Sequence, residues 1–182
     1  MTDAAKPPRV IGIAGWKNSG KTTLVVNLVE ELTRRGLHVA TLKHAHHAFE
    51  IDDGATDSAR HRRAGAAQVA IVSGTRWAVV TELGGRPEPH LEEVIARFEA
   101  CDLVIVEGYK SAAIPKVEVR RRAAARQTPL ADADPRVRAI AADHAVSGAR
   151  VPVFKLDDVA AIADFILTIA EPLPSLPPAN PA

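Results

Sequence analysis

The chain has 182 residues, 47% hydrophobic and 25% charged, with 23 Lys+Arg against 22 Asp+Glu. That length holds one well-buried domain and is too short for two of ordinary size, and the balanced charge argues against nucleic-acid binding through bulk positive charge. Cys101 is the only cysteine, which excludes intrachain disulfides and cysteine-rich metal sites.

Residues 1–8 lack the apolar core of a secretory signal and read as a disordered N-terminus. No apolar run approaches the roughly 18 residues of a membrane span, so a reducing cytoplasm is the expected location. One folded domain is expected over 9–171. It opens with Val10-Ile11-Gly12-Ile13-Ala14, an apolar, partly β-branched strand. Gly15-Trp16-Lys17-Asn18-Ser19-Gly20-Lys21-Thr22 follows and fits G-x-x-x-x-G-K-[ST] at every specified position. Leu24, Leu28 and Leu32 then recur on one helical face. Strand, glycine-bounded loop and helix are what polyphosphate binding requires, because successive backbone N–H groups can wrap the anion at the positive end of a helix. In that reading Lys21 reaches the β- and γ-phosphates and Thr22 offers its hydroxyl to a magnesium ion. The matching flanks on both sides argue against a glycine turn that binds nothing.

Arg34-Arg35-Gly36 gives the helix a basic last turn and a glycine stop. Val39–Lys43 is a second strand, so the unit is most simply a right-handed crossover in a parallel sheet. Apolar patterning stops from His44 to Asp57. His44, His46 and His47 crowd the start of this loop, and Asp52, Asp53 and Asp57 follow. A switch-like loop placing magnesium or the attacking water is one reading, with Asp57 its main candidate. A solvated loop in which Asp57 caps a helix over 58–64 is the other. Arg60, His61, Arg62 and Arg63 make a cationic patch, either hydrated surface or contact with an anionic partner.

Val69–Ser73 and Ala78–Thr81 are short strands whose spacing suits a hairpin adding an antiparallel edge, with Trp77 packing or anchoring an interface. Leu91, Val94, Ile95 and Phe98 trace a helical stripe. Cys101, just before the next strand, reads as a buried, inert thiol. Asp102–Glu107 is an apolar strand ending in an acid, the position from which phosphate-loop proteins orient magnesium directly or through water. Lys116–Val119 is a further strand. Arg120, Arg121, Arg122 and Arg126 after it read as a mostly solvated edge or dimer rim. Val137–Ala142 and Val151–Phe154 are the last strands, and Val159–Ala170 the last helix. Between them Lys155 and Asp157 match half of a guanine-reading Asn-Lys-x-Asp motif, with Phe154 in place of the asparagine. Helix capping by Asp157 or Asp158 accounts for the same residues. The stretch from Pro172 to Ala182, with five prolines and no charge, reads as a disordered tail.

Several stretches together resemble the molybdopterin-guanine dinucleotide biosynthesis protein B (MobB) family: Lys17 to Leu24, Leu42-Lys43-His44, the 52–67 segment, Leu103 to Lys110, and the ending from Val151 to Ile166. The resemblance spans roughly residues 9–170. It implies a three-layer α/β/α phosphate-loop protein with a mostly parallel sheet and an antiparallel β extension. It implies GTP binding with weak GTPase activity, magnesium, homodimers formed partly through the extra β structure, and service to the nucleotidyltransferase MobA, which attaches GMP to molybdopterin. Carried over by position, phosphate contacts fall on Gly15, Trp16, Lys17, Asn18, Ser19, Gly20, Lys21, Thr22 and Thr23, and magnesium on Thr22 and Glu107. Lys21, Glu107 and Asp57 are the catalytic candidates and Asp157 the base contact. GTP rather than ATP comes from the resemblance, as the base-reading motif is incomplete.

Two other classes use the same scaffold. A small-molecule kinase or ATP-dependent ligase would need an acceptor pocket with a base, which His44 or Asp57 could supply. A metal-delivery GTPase would use the histidine cluster, against which stand the missing cysteine ligand and the absence of a histidine-rich tail.

Overall fold

The computed structural model describes residues 7–45, 51, 54–124 and 128–173. His46, His47, Asp52, Asp53 and Arg126 lie outside the described residues, as does most of each terminus. The chain divides into two compact units, one formed by the residues up to His44 and from Leu91 onwards, the other by Ala45–His90.

The larger unit is built on a parallel sheet. Strands β1 (Arg9–Ala14), β2 (Val39–Lys43), β5 (Leu103–Glu107), β6 (Lys116–Arg120), β7 (Val137–Ala142) and β8 (Val153–Lys155) take the order β2-β5-β1-β6-β7-β8. Alternation along the central strands splits the core in two. Ile11 and Ile13 of β1 and Leu103 and Ile105 of β5 join Leu24, Leu28 and Leu32 of α1 (Lys21–Arg34) and Ile162 and Ile166 of α4 (Val159–Ile169). Val10, Leu42, Val104 and Val106 meet Leu91 and Ile95 of α3 (Leu91–Ile95) and Ile114 on the other face. Helices therefore cover both faces, the three-layer arrangement that the family resemblance implies.

Three details differ from the sequence reading. α3 stops at Ile95, before the end of its apolar stripe. A strand β9 (Glu171–Pro172) pairs antiparallel with β1, Pro172 opposite Arg9, so Pro172 belongs to the sheet and not to a disordered tail. Its two residues are too few to leave a periodic signal. Lys116 and Glu118 on β6 are both 1% exposed; each buried charge is paired, Lys116 with Asp134 at 2.7 Å and Glu118 with Arg120 at 2.8 Å. Arg120 is thus a part-buried counter-ion to Glu118 and not part of a solvated arginine edge.

The smaller unit holds helix α2 (Asp57–Arg63) and strands β3 (Gln68–Val72) and β4 (Trp77–Thr81). The hairpin is antiparallel as expected, but it forms a separate two-stranded sheet and is not an edge of the large one. Thr56, not Asp57, caps α2: its hydroxyl accepts from the Ala59 N–H at 3.3 Å. Trp77 is 62% exposed, so it is not packed in this unit's core.

Candidate functional site

The phosphate loop joins the carboxyl end of β1 to α1, at the edge of a parallel sheet where ligands bind. Its backbone needs glycine at both ends. Gly15 has φ 153°, and a Cβ there would lie 2.6 Å from Ser19 Oγ and 2.7 Å from the Val119 carbonyl. Gly20, at φ 92°, is the N-cap of α1 and offers no side-chain cap, and no acidic residue occupies the first turn. The first N–H groups of a 14-residue helix therefore keep their donors for an anion. Asn18 takes the left-handed conformation at φ 60°, which asparagine tolerates better than most residues.

Lys21 Nζ donates to the Trp16 carbonyl across the loop at 2.8 Å. Burial lowers the Lys21 pKa; Glu107 pulls it back up, while Lys110 and Lys43 push it further down. Lys110 sits over the Trp16 ring, 4.1 Å from its centroid, and the Trp16 indole N–H donates to the Thr128 carbonyl at 2.7 Å. Lysines 21, 43 and 110 therefore gather their charge around one short loop, a field suited to phosphate.

Thr22 and Glu107, which the sequence pairs as magnesium candidates, meet directly: the Thr22 hydroxyl donates to Glu107 Oε1 at 2.8 Å. Glu107 ends β5, beside β1, and is 8% exposed, with Lys43 Nζ at 3.6 Å. An oxygen-only donor set of hydroxyl and carboxylate fits a hard divalent cation such as magnesium and suits softer metals poorly. Behind Glu107, Gly108 adopts φ 106° with His44 closely packed against it, and the His44 ring stacks on Tyr109 at 4.5 Å.

Beyond the loop, a cavity of about 690 Å³ runs from Gly20, Thr23 and Asn27 to Asp143, Lys155 and Asp157, at the ends of β7 and β8. Asp158 caps α4 by accepting from the Ala161 N–H at 3.2 Å, which leaves the Asp157 side chain to the cavity. The capping alternative thus falls on Asp158 alone. Asp57 stands in the smaller unit, in the first turn of α2 and 3.4 Å from Arg60. Among the described residues no group of three His, Cys, Asp or Glu side chains could hold a metal; the histidine-cluster reading depends on His46 and His47, outside those residues. Cys101 is partly buried, and burial raises its thiol pKa, keeping it protonated as an inert thiol would be. Sequence reasoning missed Lys110, because nothing local ties it to Trp16.

Strand, phosphate loop and helix in a parallel sheet, with an acid ending the neighbouring strand, define an α/β protein of the phosphate-loop class. Residues 10–143 match the family model described as molybdopterin guanine dinucleotide synthesis protein B, MobB, and the chain belongs to that family. A relative from Haemophilus influenzae, named molybdopterin-guanine dinucleotide biosynthesis adapter protein, is 36% identical over 160 residues, covering 86% of each chain. The protein of the same name from Escherichia coli is 34% identical, covering 87% of this chain and 91% of its own. A solved structure described as molybdopterin-guanine biosynthesis protein B superposes with a TM-score of 0.67 at 27% identity, covering 87% of this chain and 98% of that one.

Proposed function

We propose that this chain is an accessory protein of molybdopterin-guanine dinucleotide synthesis that binds GTP with magnesium and hydrolyses it weakly. In this reading it acts in the cytoplasm as a homodimer beside the nucleotidyltransferase MobA, whose product joins GMP to molybdopterin. The observation that carries the nucleotide part is the 2.8 Å contact between Thr22 and Glu107, which brings a phosphate-loop hydroxyl and a strand-end acid to one point. Family membership and the adapter names of the relatives support the pathway.

The loop amides and Lys21 bind and orient the phosphates, and Lys43 and Lys110 add positive charge around them. Thr22 and Glu107 would hold magnesium, which when bound neutralises phosphate charge. The loop itself contains no arginine, and slow hydrolysis by the isolated chain is what the family resemblance implies. Asp57 remains the candidate for positioning water. Asp157, free of the capping role, is the candidate for accepting from the N1 and N2 hydrogens of guanine.

The test is calorimetric titration with GTP and with ATP, each with magnesium. Preference for GTP, weakened by Asp157→Asn, is the expected result. Equal binding of ATP would remove the guanine assignment and favour a kinase or ligase on this scaffold. Hydrolysis unchanged in Asp57→Asn would remove that residue from the mechanism.

A further inference from the structure

Beneath the phosphate loop lies a smaller cavity of about 240 Å³, lined by Ser19, Glu118, Arg120, Arg121 and His144, with Trp16 in its wall. Buried polar atoms in folded chains nearly always have hydrogen-bond partners. Here Ser19 Oγ and Arg120 Nε have none. Ser19 is 1% exposed, and although the Arg120 side chain is 17% exposed, its Nε is itself buried. Two side chains from separate elements thus bring unmet hydrogen-bonding capacity to one small space.

The acids in and beside this cavity are already engaged. Glu118 accepts from Arg120 at 2.8 Å and from the backbone N–H groups of Leu130 and Ala131 at 2.9 and 3.0 Å. Asp143, behind His144, pairs with His144 Nδ1 at 2.8 Å and accepts from the Arg122 N–H at 2.9 Å. The donors are less fully used. Arg121 approaches Asp143 only at 3.9 Å, longer than a hydrogen bond, and Arg120 spends one terminal nitrogen on Glu118 while its Nε is unspent. Such a lining has donors to offer and calls for acceptors. A compact oxyanion supplies several at once, and guanidinium groups bind phosphate with charge-assisted geometry.

We propose that this cavity is an oxyanion subsite for phosphate or the phosphate end of a monoester, held by Ser19, Arg120 and Arg121. It is distinct from the backbone cradle above it, because Ser19 contributes its side chain and not the loop's N–H groups. Arg121 and His144 also line the larger cavity, so an anion here would sit beside whatever ligand that cavity takes. The inference does not require that ligand to be GTP.

Calorimetric titration of the full chain with inorganic phosphate, and separately with ribose 5-phosphate at constant ionic strength, tests it. Arg121→Gln changes a side chain that is 42% exposed and spares the buried Glu118–Arg120 pair. Ser19→Ala removes only a hydroxyl. Made in a Lys21→Ala background, which silences the loop, each is expected to weaken the remaining binding of the probe by roughly tenfold. Tighter binding of the monoester assigns the subsite to an organic ligand, and equal binding assigns it to free phosphate. No binding of either probe overturns the proposal. So does a Lys21→Ala background that binds neither probe, which would put the phosphate in the loop. A GTP titration run alongside keeps failure of the nucleotide reading separate from failure of this one.

Discussion

Lys21 is held charged at some cost. Its burial, reinforced by Lys110 and Lys43 and offset by Glu107, sets its pKa below the ordinary 10.5. The folded chain therefore gives up this proton at a lower pH than the unfolded chain, and between the two values stability rises with pH. A bound polyphosphate reverses the balance by rewarding the ammonium. Lys21→Ala is expected to lower GTP affinity roughly a hundredfold, about 2.7 kcal/mol, with no loss of thermal stability; unchanged affinity would remove the central claim. In wild type, GTP affinity should fall as pH rises into the lowered range of Lys21, with proton uptake on binding there. Calorimetry in two buffers of different ionisation enthalpy reads that uptake, and affinity flat up to pH 10.5 would contradict it. The loop and Glu107 were legible in the sequence because backbone geometry dictates glycine at 15 and 20, and because a carboxylate ending an apolar strand is conspicuous. Lys110 over Trp16 and the Ser19–Arg120 cavity were not, since each depends on distant loops meeting. Thr56 and Asp57 are adjacent cap-forming residues, and only geometry decides which of them caps α2.

Among the elements, the strands with continuous apolar runs were readable and β6 was readable only as a strand. The structure buries both Lys116 and Glu118 within it by pairing them, which nothing in the strand's own sequence signals. The Lys116 stem passes over Gly12, where a Cβ would come within 3.0 Å of its Cγ, and its ammonium donates to Asp134 at 2.7 Å and to the Ala112 carbonyl at 2.6 Å. β6 is thereby tied to the loops before and after it. Burial pushes the Asp134 carboxyl up, but the Lys116 hydrogen bond, the Arg136 N–H and their charges outweigh it and leave the pKa below 3.8. A lowered carboxylate pKa contributes stability above the unfolded value that is lost as pH falls through the folded one. Asp134→Ala strands a buried ammonium and should cost about 3–5 kcal/mol in urea unfolding at neutral pH. Lys116→Met, which removes the charge and keeps the stem, should cost far less. The gap between wild type and Asp134→Ala should narrow as pH drops below about 3.8; a gap constant across that range would show the pair contributes no charge-linked stability.

At the scale of the whole molecule, the smaller unit carries surface that its own residues leave uncovered. Directly opposed residues of β3 and β4 share a face, so Val72 with Trp77 and Ala70 with Val79 form one side of the ribbon. Val72 is 76% exposed, Trp77 62% and Val79 48%. Contiguous apolar surface of this kind marks an association site more often than single exposed side chains do, and a two-stranded ribbon is marginal on its own in water. Both facts favour a second copy of the chain covering this face in the proposed homodimer, since an isologous interface lets one patch serve both subunits. The double variant Trp77→Glu, Val79→Glu places like charges on both sides of such an interface. Light scattering after size exclusion should then report a dimer for wild type and a monomer for the variant. GTP affinity per chain should stay within about twofold, because the phosphate loop, Glu107 and the larger cavity all belong to the other unit. A wild-type chain that elutes as a monomer would end the homodimer reading, and a variant that remains dimeric would move the interface off this ribbon.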